Sequence, residues 1–303
     1  MAGRGGRNSG MAQRMGVRVA GVIAGFLVLG LIVLGVHVLH GGAGSDVGAS
    51  TGSVTGSASG SVSSGVPSTS SSSSTTVRVP PVSVAQLDSL PRSTTFTTVR
   101  GLPSSAGATS DGNVVRIARA QAGFDAPGGK PMVVIPATQL GLDTWLPIVD
   151  RRSGWYQVRL PSRPNGSLAW IPAAGMRTAQ TDWRVHISLA AGRMTVTKGA
   201  AQMGEWVVGH GKDATPTPVG QTFLLAGFVD PSETFSPVIY ALGAHSDSLD
   251  TFGGGPGTVA VHGWPTASGR EGKISHGCVR VPAAALAIFA KLPTGTPVDI
   301  TAS

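Results

Sequence analysis

The chain has 303 residues, room for one to three domains; only 13% are charged and 44 are glycine, so part of it reads as unfolded. The net charge of +8 is not the footprint of a nucleic-acid binder. Arg4, Arg7, Arg14 and Arg18 precede the first apolar segment, eight basic residues meet nine acidic ones from Asp182 onward, and no Lys/Arg cluster is interleaved with aromatics.

Residues 1–18 read as a basic cytoplasmic tail. Val19 to Leu39 is a run of 21 residues without a formal charge. About 20 apolar residues cross a bilayer core as a helix, and four preceding arginines orient such a helix with its N-terminus inside. A cleavable signal peptide is the competing reading, but its apolar region is shorter, about 7–15 residues. The expectation is an uncleaved, single-pass anchor over 19–39, with the rest of the chain outside the cell membrane.

Residues 40–112 read as a linker. Its first part is almost all Gly, Ser, Thr, Ala and Val and cannot bury enough apolar surface to fold. About 38 such residues reach roughly 35 Å. Val79-Pro80-Pro81 and Leu90-Pro91 make the continuation stiffer. From 113 to 178, short β-rich runs such as Met132–Ile135, Trp155–Leu160 and Leu168–Ile171 alternate with turn signals such as Arg152-Ser153-Gly154 and Pro164-Asn165-Gly166. This pattern predicts a small β-barrel, a possible wall-binding module, with Trp155 and Trp170 in its packing or in a ligand cage.

Residues 182–303 form a second β-rich segment. Trp183 to Leu189 alternates with period two, and further strands are expected at Trp206–Val208, Thr222–Leu225, Val238–Leu242 and Thr258–His262. One helix is expected over Pro282 to Lys291. The fold class is therefore mainly β: a small barrel, then a mixed-sheet β-sandwich with one short capping helix, behind one N-terminal transmembrane helix.

Cys278 is the only cysteine, so no internal disulfide can form. An unpaired thiol outside the membrane is a reactive candidate. It lies in Ser275-His276-Gly277-Cys278-Val279-Arg280, and His262-Gly263 ends a strand upstream. A thiol beside an imidazole is a nucleophile with a base, and a nearby imidazole favours the thiolate. His276 competes with His262 for the role of base. Backbone N–H groups at Gly277 and Cys278 are candidate oxyanion donors. Zinc held by Cys278, His276 and His262 is the weaker reading, because a second CxxC or an HxxxH is missing. No metal or cofactor is expected.

Val261-His262-Gly263 with Ser275 to Val281 resembles the L,D-transpeptidase catalytic signature. Val208-Gly209-His210-Gly211-Lys212 and Thr215-Pro216-Thr217-Pro218-Val219-Gly220 resemble the family's upstream strand end and turn, so the likeness spans roughly 183–302. It implies Cys278 as the acylated nucleophile and His262 as its base. Gly263 would orient the imidazole, Ser275 and His276 would shape the oxyanion side, Gly277 would give close backbone approach, and Arg280 would order the loop or meet a substrate carboxylate. The implied partner is the peptidoglycan stem peptide. The implied reaction is 3→3 cross-linking through a Cys thioester, open to carbapenems. An L,D-carboxypeptidase or D-amino-acid exchange enzyme would use the same pair, and a non-catalytic wall-binding adaptor would use neither. Oligomeric state is not legible.

Overall fold

The computed structural model describes residues 79–303. The basic tail, the 19–39 span and most of the linker lie outside the described residues. Among the described residues, no helix is long and apolar enough to cross a membrane.

The linker reading fails for residues 79–112. They lie against the first sheet, because their turns place both apolar and backbone groups there. α1 (Val84–Ser89) starts at a reciprocal cap in which Ser83 and Gln86 bond each other's backbone N–H. Val99 is buried in the core of the first sheet. Arg159, itself buried, donates to the carbonyls of Ser105, at 3.1 Å, and Ala108. A low-charge, proline-dotted stretch is compositionally like a tether, but these contacts satisfy its polar backbone.

The first sheet is antiparallel and seven-stranded. It contains β1 (Asn113–Arg116), β2 (Gln121–Phe124) and β3 (Pro131–Ile135). After a separate hairpin, β4 (Thr138–Gln139) and β5 (Leu142–Asp143), come β6 (Trp145–Arg152), β7 (Trp155–Arg159), β8 (Leu168–Pro172) and β9 (Arg177–Gln180). The order is β3-β2-β8-β7-β6-β1-β9, so β3 and β9 are its edges. Trp155 and Trp170 are buried with Ala122 and Phe124, and Val82 and Leu87 pack on them. They are core residues, not a ligand cage. At the β4–β5 tip, Leu140 and Gly141 have φ of 49° and 82°. Such turns favour Asn-Gly, and a leucine held there costs on the order of 1 kcal/mol.

The second unit is one ten-stranded mixed sheet ordered β12-β11-β10-β19-β14-β15-β16-β18-β13-β17. Its strands are β10 (Trp183–Ser188), β11 (Arg193–Lys198), β12 (Ala201–Val207), β13 (Gly209–Gly211), β14 (Gly220–Phe228), β15 (Ile239–His245), β16 (Thr258–Gly263), β17 (Gly272–Ser275), β18 (Val279–Val281) and β19 (Pro297–Thr301). α2 (Ala283–Phe289) buries Ala285, Leu286 and Phe289 against residues from both ends of this sheet.

β14 turns the corner. Gly220 to Phe223 pair with β19, Leu224 to Phe228 pair with β15, and the register shifts between Leu224 and Ala226. A bulge at a strand that passes from one layer to the next is how a single sheet folds over its own core. β14 also joins the two units. Leu224 lies in the core of the second sheet, while Phe223 and Leu225 lie in that of the first. Both of its faces are buried, which is why it reads as a continuous apolar run without alternation.

Candidate active site

β16 and β18 run parallel, with Val261 opposite Val279 and His262 opposite Arg280. Side chains alternate along a strand, so Ala260, His262 and Cys278 fall on one face. Together with Ile239 and Ala241 of β15 they line a cleft of about 370 Å³. Phe228, Asp230 and Phe235 come from β14 and the loop after it, Phe252 to Gly257 from the loop before β16.

The turn that presents Cys278 is held from inside and from outside. Ser275 Oγ accepts from Gly277 N–H at 3.1 Å and donates to the Cys278 carbonyl at 2.5 Å. Gly277 has φ of 120°, which only glycine adopts readily. From outside, Thr217 Oγ1 donates to the Gly277 carbonyl at 2.8 Å and accepts from Gly211 N–H at 2.9 Å. Lys212 N–H donates to the Ser275 carbonyl at 3.1 Å. The Thr-Pro-Thr-Pro turn thus serves as the mould for the cysteine turn. A side chain at Gly211 would collide with its backbone at Thr215 and Thr217.

His262 is buried, and its Nδ1 lies 2.8 Å from the Gly263 carbonyl. A carbonyl only accepts, so Nδ1 carries the proton and Nε2 is left with a free lone pair. Gly263 N–H in turn donates to Ser236 Oγ at 2.8 Å. The ring packs on Phe235, with centroids 4.7 Å apart. Burial, helped by the Arg280 charge and opposed by the Gly263 carbonyl, lowers the imidazole to about 4. Burial also raises the Cys278 thiol, while a backbone bond from Ala260 and the Arg280 charge pull the other way. The thiol's hydrogen-bond contact is the Thr258 carbonyl at 4.0 Å. The same desolvation penalises both ions, the imidazolium and the thiolate, which favours a neutral pair over the thiolate expected from sequence.

Two further expectations change. Gly277 N–H is engaged by Ser275, so it is not a free oxyanion donor. His276 is exposed, its Nε2 3.3 Å from Lys212 Nζ, and it packs on Phe252 with centroids 5.0 Å apart. It stands outside the cleft that holds His262 and lines a smaller pocket with Phe252, Gly277 and Cys278. Arg280 packs on Trp264, 3.5 Å from the ring centroid, and reaches the Gly269 carbonyl at 3.4 Å. That geometry orders the 264–270 segment. Among the described residues, no three His, Cys, Asp or Glu side chains are grouped to hold a metal.

Sequence reading missed Ser236 and Phe235, which stand in an unpatterned loop, and assigned no task to Thr217. Only the doubled Thr-Pro was a signal. It also missed that Thr95, Phe96 and Leu140 reach the cleft from before and within the first sheet.

No curated protein matches the chain. Solved structures do. An L,D-transpeptidase from Mycobacterium smegmatis is 14% identical, with 48% of this chain and 90% of that one covered and a TM-score of 0.32. The catalytic domain of the Enterococcus faecium L,D-transpeptidase is 23% identical, with 40% and 98% covered and a TM-score of 0.31. For a longer Enterococcus faecium L,D-transpeptidase mutant the values are 20% identity, 40% and 50% coverage and 0.32, so the match spans about half of that enzyme's length. Over residues 182–300, the chain matches the L,D-transpeptidase catalytic domain of the YkuD family model.

Proposed function

We propose that the protein is a peptidoglycan L,D-transpeptidase that forms 3→3 cross-links through a thioester on Cys278. The observation that carries this is the placement of Cys278 and a neutral His262 on one face of the β16–β18 pair, inside the segment that matches the family model. As the thiol sulfur attacks the stem-peptide carbonyl, its proton passes to His262 Nε2. The S–C bond forms, the C–N bond to the terminal D-Ala breaks, and the imidazolium returns the proton to the departing amine. A side-chain amine of a second stem then attacks the thioester, its proton goes to His262, and the thiol is released. Because burial disfavours both ions, His262 is proposed to act as a general base during attack and not as the partner of a standing ion pair.

Residues 19–39, with four arginines ahead of them, are proposed to hold this enzyme at the cell membrane with its cleft on the outer face. Peptidoglycan lies there. Proteolysis of intact spheroplasts that leaves Cys278 protected would sink that orientation.

The test of the reaction is intact-mass spectrometry with a disaccharide-tetrapeptide. An adduct on Cys278, loss of D-Ala and a cross-linked dimer are expected. D-Ala release with tripeptide as sole product identifies a carboxypeptidase, and incorporation of an added free D-amino acid identifies an exchange enzyme. Absence of both adduct and release leaves a wall-binding adaptor.

A further inference from the structure

Part of the cleft over Cys278 is built by residues outside the ten-stranded sheet. Phe96 comes from the segment ahead of the first sheet and Leu140 from the β4–β5 tip. Phe96 is 69% exposed and Leu140 41% exposed, so neither serves the core of its own unit. Leu140 also occupies a left-handed turn position that asparagine would fill with less strain. An exposed leucine kept at a strained tip, facing a cleft, is not explained by folding.

The Phe96 side of this wall is fixed. The hydroxyls of Thr94 and Thr97 lie 2.9 Å apart across the turn that carries Phe96. The Thr95 carbonyl lies 2.7 Å from Nε2 of the buried His245, which therefore carries a proton there. Asn165, from the first unit, bonds both the N–H and the carbonyl of His245, each at 2.8 Å. His245 ends β15, whose Ile239 and Ala241 floor the cleft.

We propose that Phe96 and Leu140 form a substrate subsite, an apolar wall that packs against the aliphatic parts of the donor stem peptide beside the scissile bond. The inference rests on the transpeptidase reading of Cys278. It makes the first unit part of the active cleft. Burying two partly exposed apolar side chains against the peptide accounts for about a tenfold change in affinity.

The experiment uses the full chain in detergent micelles with a disaccharide-tetrapeptide. Equilibrium binding is read on the Cys278→Ala chain with and without Phe96→Ala and Leu140→Ala, and D-Ala release is read separately on the chain with Cys278 intact. The expected results are about tenfold weaker binding, a KM raised by the same factor, kcat within about twofold, and iodoacetamide alkylation of Cys278 at the wild-type rate. Leu140→Asn is expected to raise Tm and still weaken binding, which separates the wall from the fold. Equal affinity in the presence and absence of the two side chains overturns the subsite, as does failure of the Cys278→Ala chain to bind the stem at all. Binding that depends on both residues with no D-Ala release keeps the subsite and rejects the transpeptidase reading instead.

Discussion

Burial has opposite effects on His262 and Cys278, the two residues proposed to do the chemistry. It lowers His262 to about 4 and raises Cys278. Alkylation of Cys278 by iodoacetamide is therefore expected to rise only above the ordinary thiol range, near pH ~8.5; a plateau already reached at pH 7 would show a resting thiolate and contradict the geometry. The acid limb of kcat/KM should fall near pH 4, since protonating His262 removes the base; a limb between 6 and 7 would mean an unburied imidazole. Thr217 tests the mould. Thr217→Val removes the Oγ1 bonds to Gly211 and Gly277. Each such bond is worth about 1 kcal/mol, and a turn shifted by an ångström loses on the order of a hundredfold in rate. Turnover is thus expected to drop far more than Tm; equal losses would make Thr217 merely structural.

At the scale of elements, the loop before β16 roofs the cleft and is held by two side chains of the first unit, Asn165, which bonds Asp247 at 3.0 Å, and Arg163. Arg163 Nη2 donates to the carbonyls of Leu249 and Asp250, each at 3.3 Å, and Pro256 at 2.5 Å. In Arg163→Met, amide hydrogen exchange is expected to rise across 249–257 and nowhere in β10 to β12, and kcat/KM is expected to fall. Unchanged exchange in that loop would remove the clamp from the account.

This contact explains where sequence reading stopped. The cysteine turn, the His262 strand and α2 were legible because each is local: glycine beside the thiol, alternation along β16, and an alanine-rich run after Pro282. The two-faced burial of β14 was not legible, since a run such as Thr222–Leu225 looks the same whichever cores receive it. Residues 79–112 looked like tether because their partners, Arg159 and β3, lie far along the chain. Leu140 carried no signal at all: its strain is a backbone property, and its neighbours in the cleft are set by tertiary packing.

On the scale of the whole molecule, one strand, β14, sends side chains into the cores of both sheets. Phe223→Ala is expected to cost about 3–5 kcal/mol and to lower one common melting transition; two separate transitions, with the second unaffected, would show independent units. Acid should weaken the fold as well. His245 and His262 are both held at about 4, chiefly by burial. Above pH 6.5 both are neutral, folded or unfolded, and their contribution is constant. As pH falls from 6.5 toward 4, the unfolded chain takes up protons that the folded one refuses, so stability is lost, by roughly 3 kcal/mol for each at the limit. Urea midpoints at pH 7 and 4.5 measure this, and equal midpoints would refute it. That strand also sets an order of events in synthesis. A chain leaves the ribosome N-terminus first, yet Phe223 and Leu225 are two of the thirteen buried residues of the first sheet's core. That sheet must wait, incomplete, until β14 has emerged. Nascent chains arrested after Gln180 are expected to stay sensitive to protease, and chains arrested well past Phe228 to resist it.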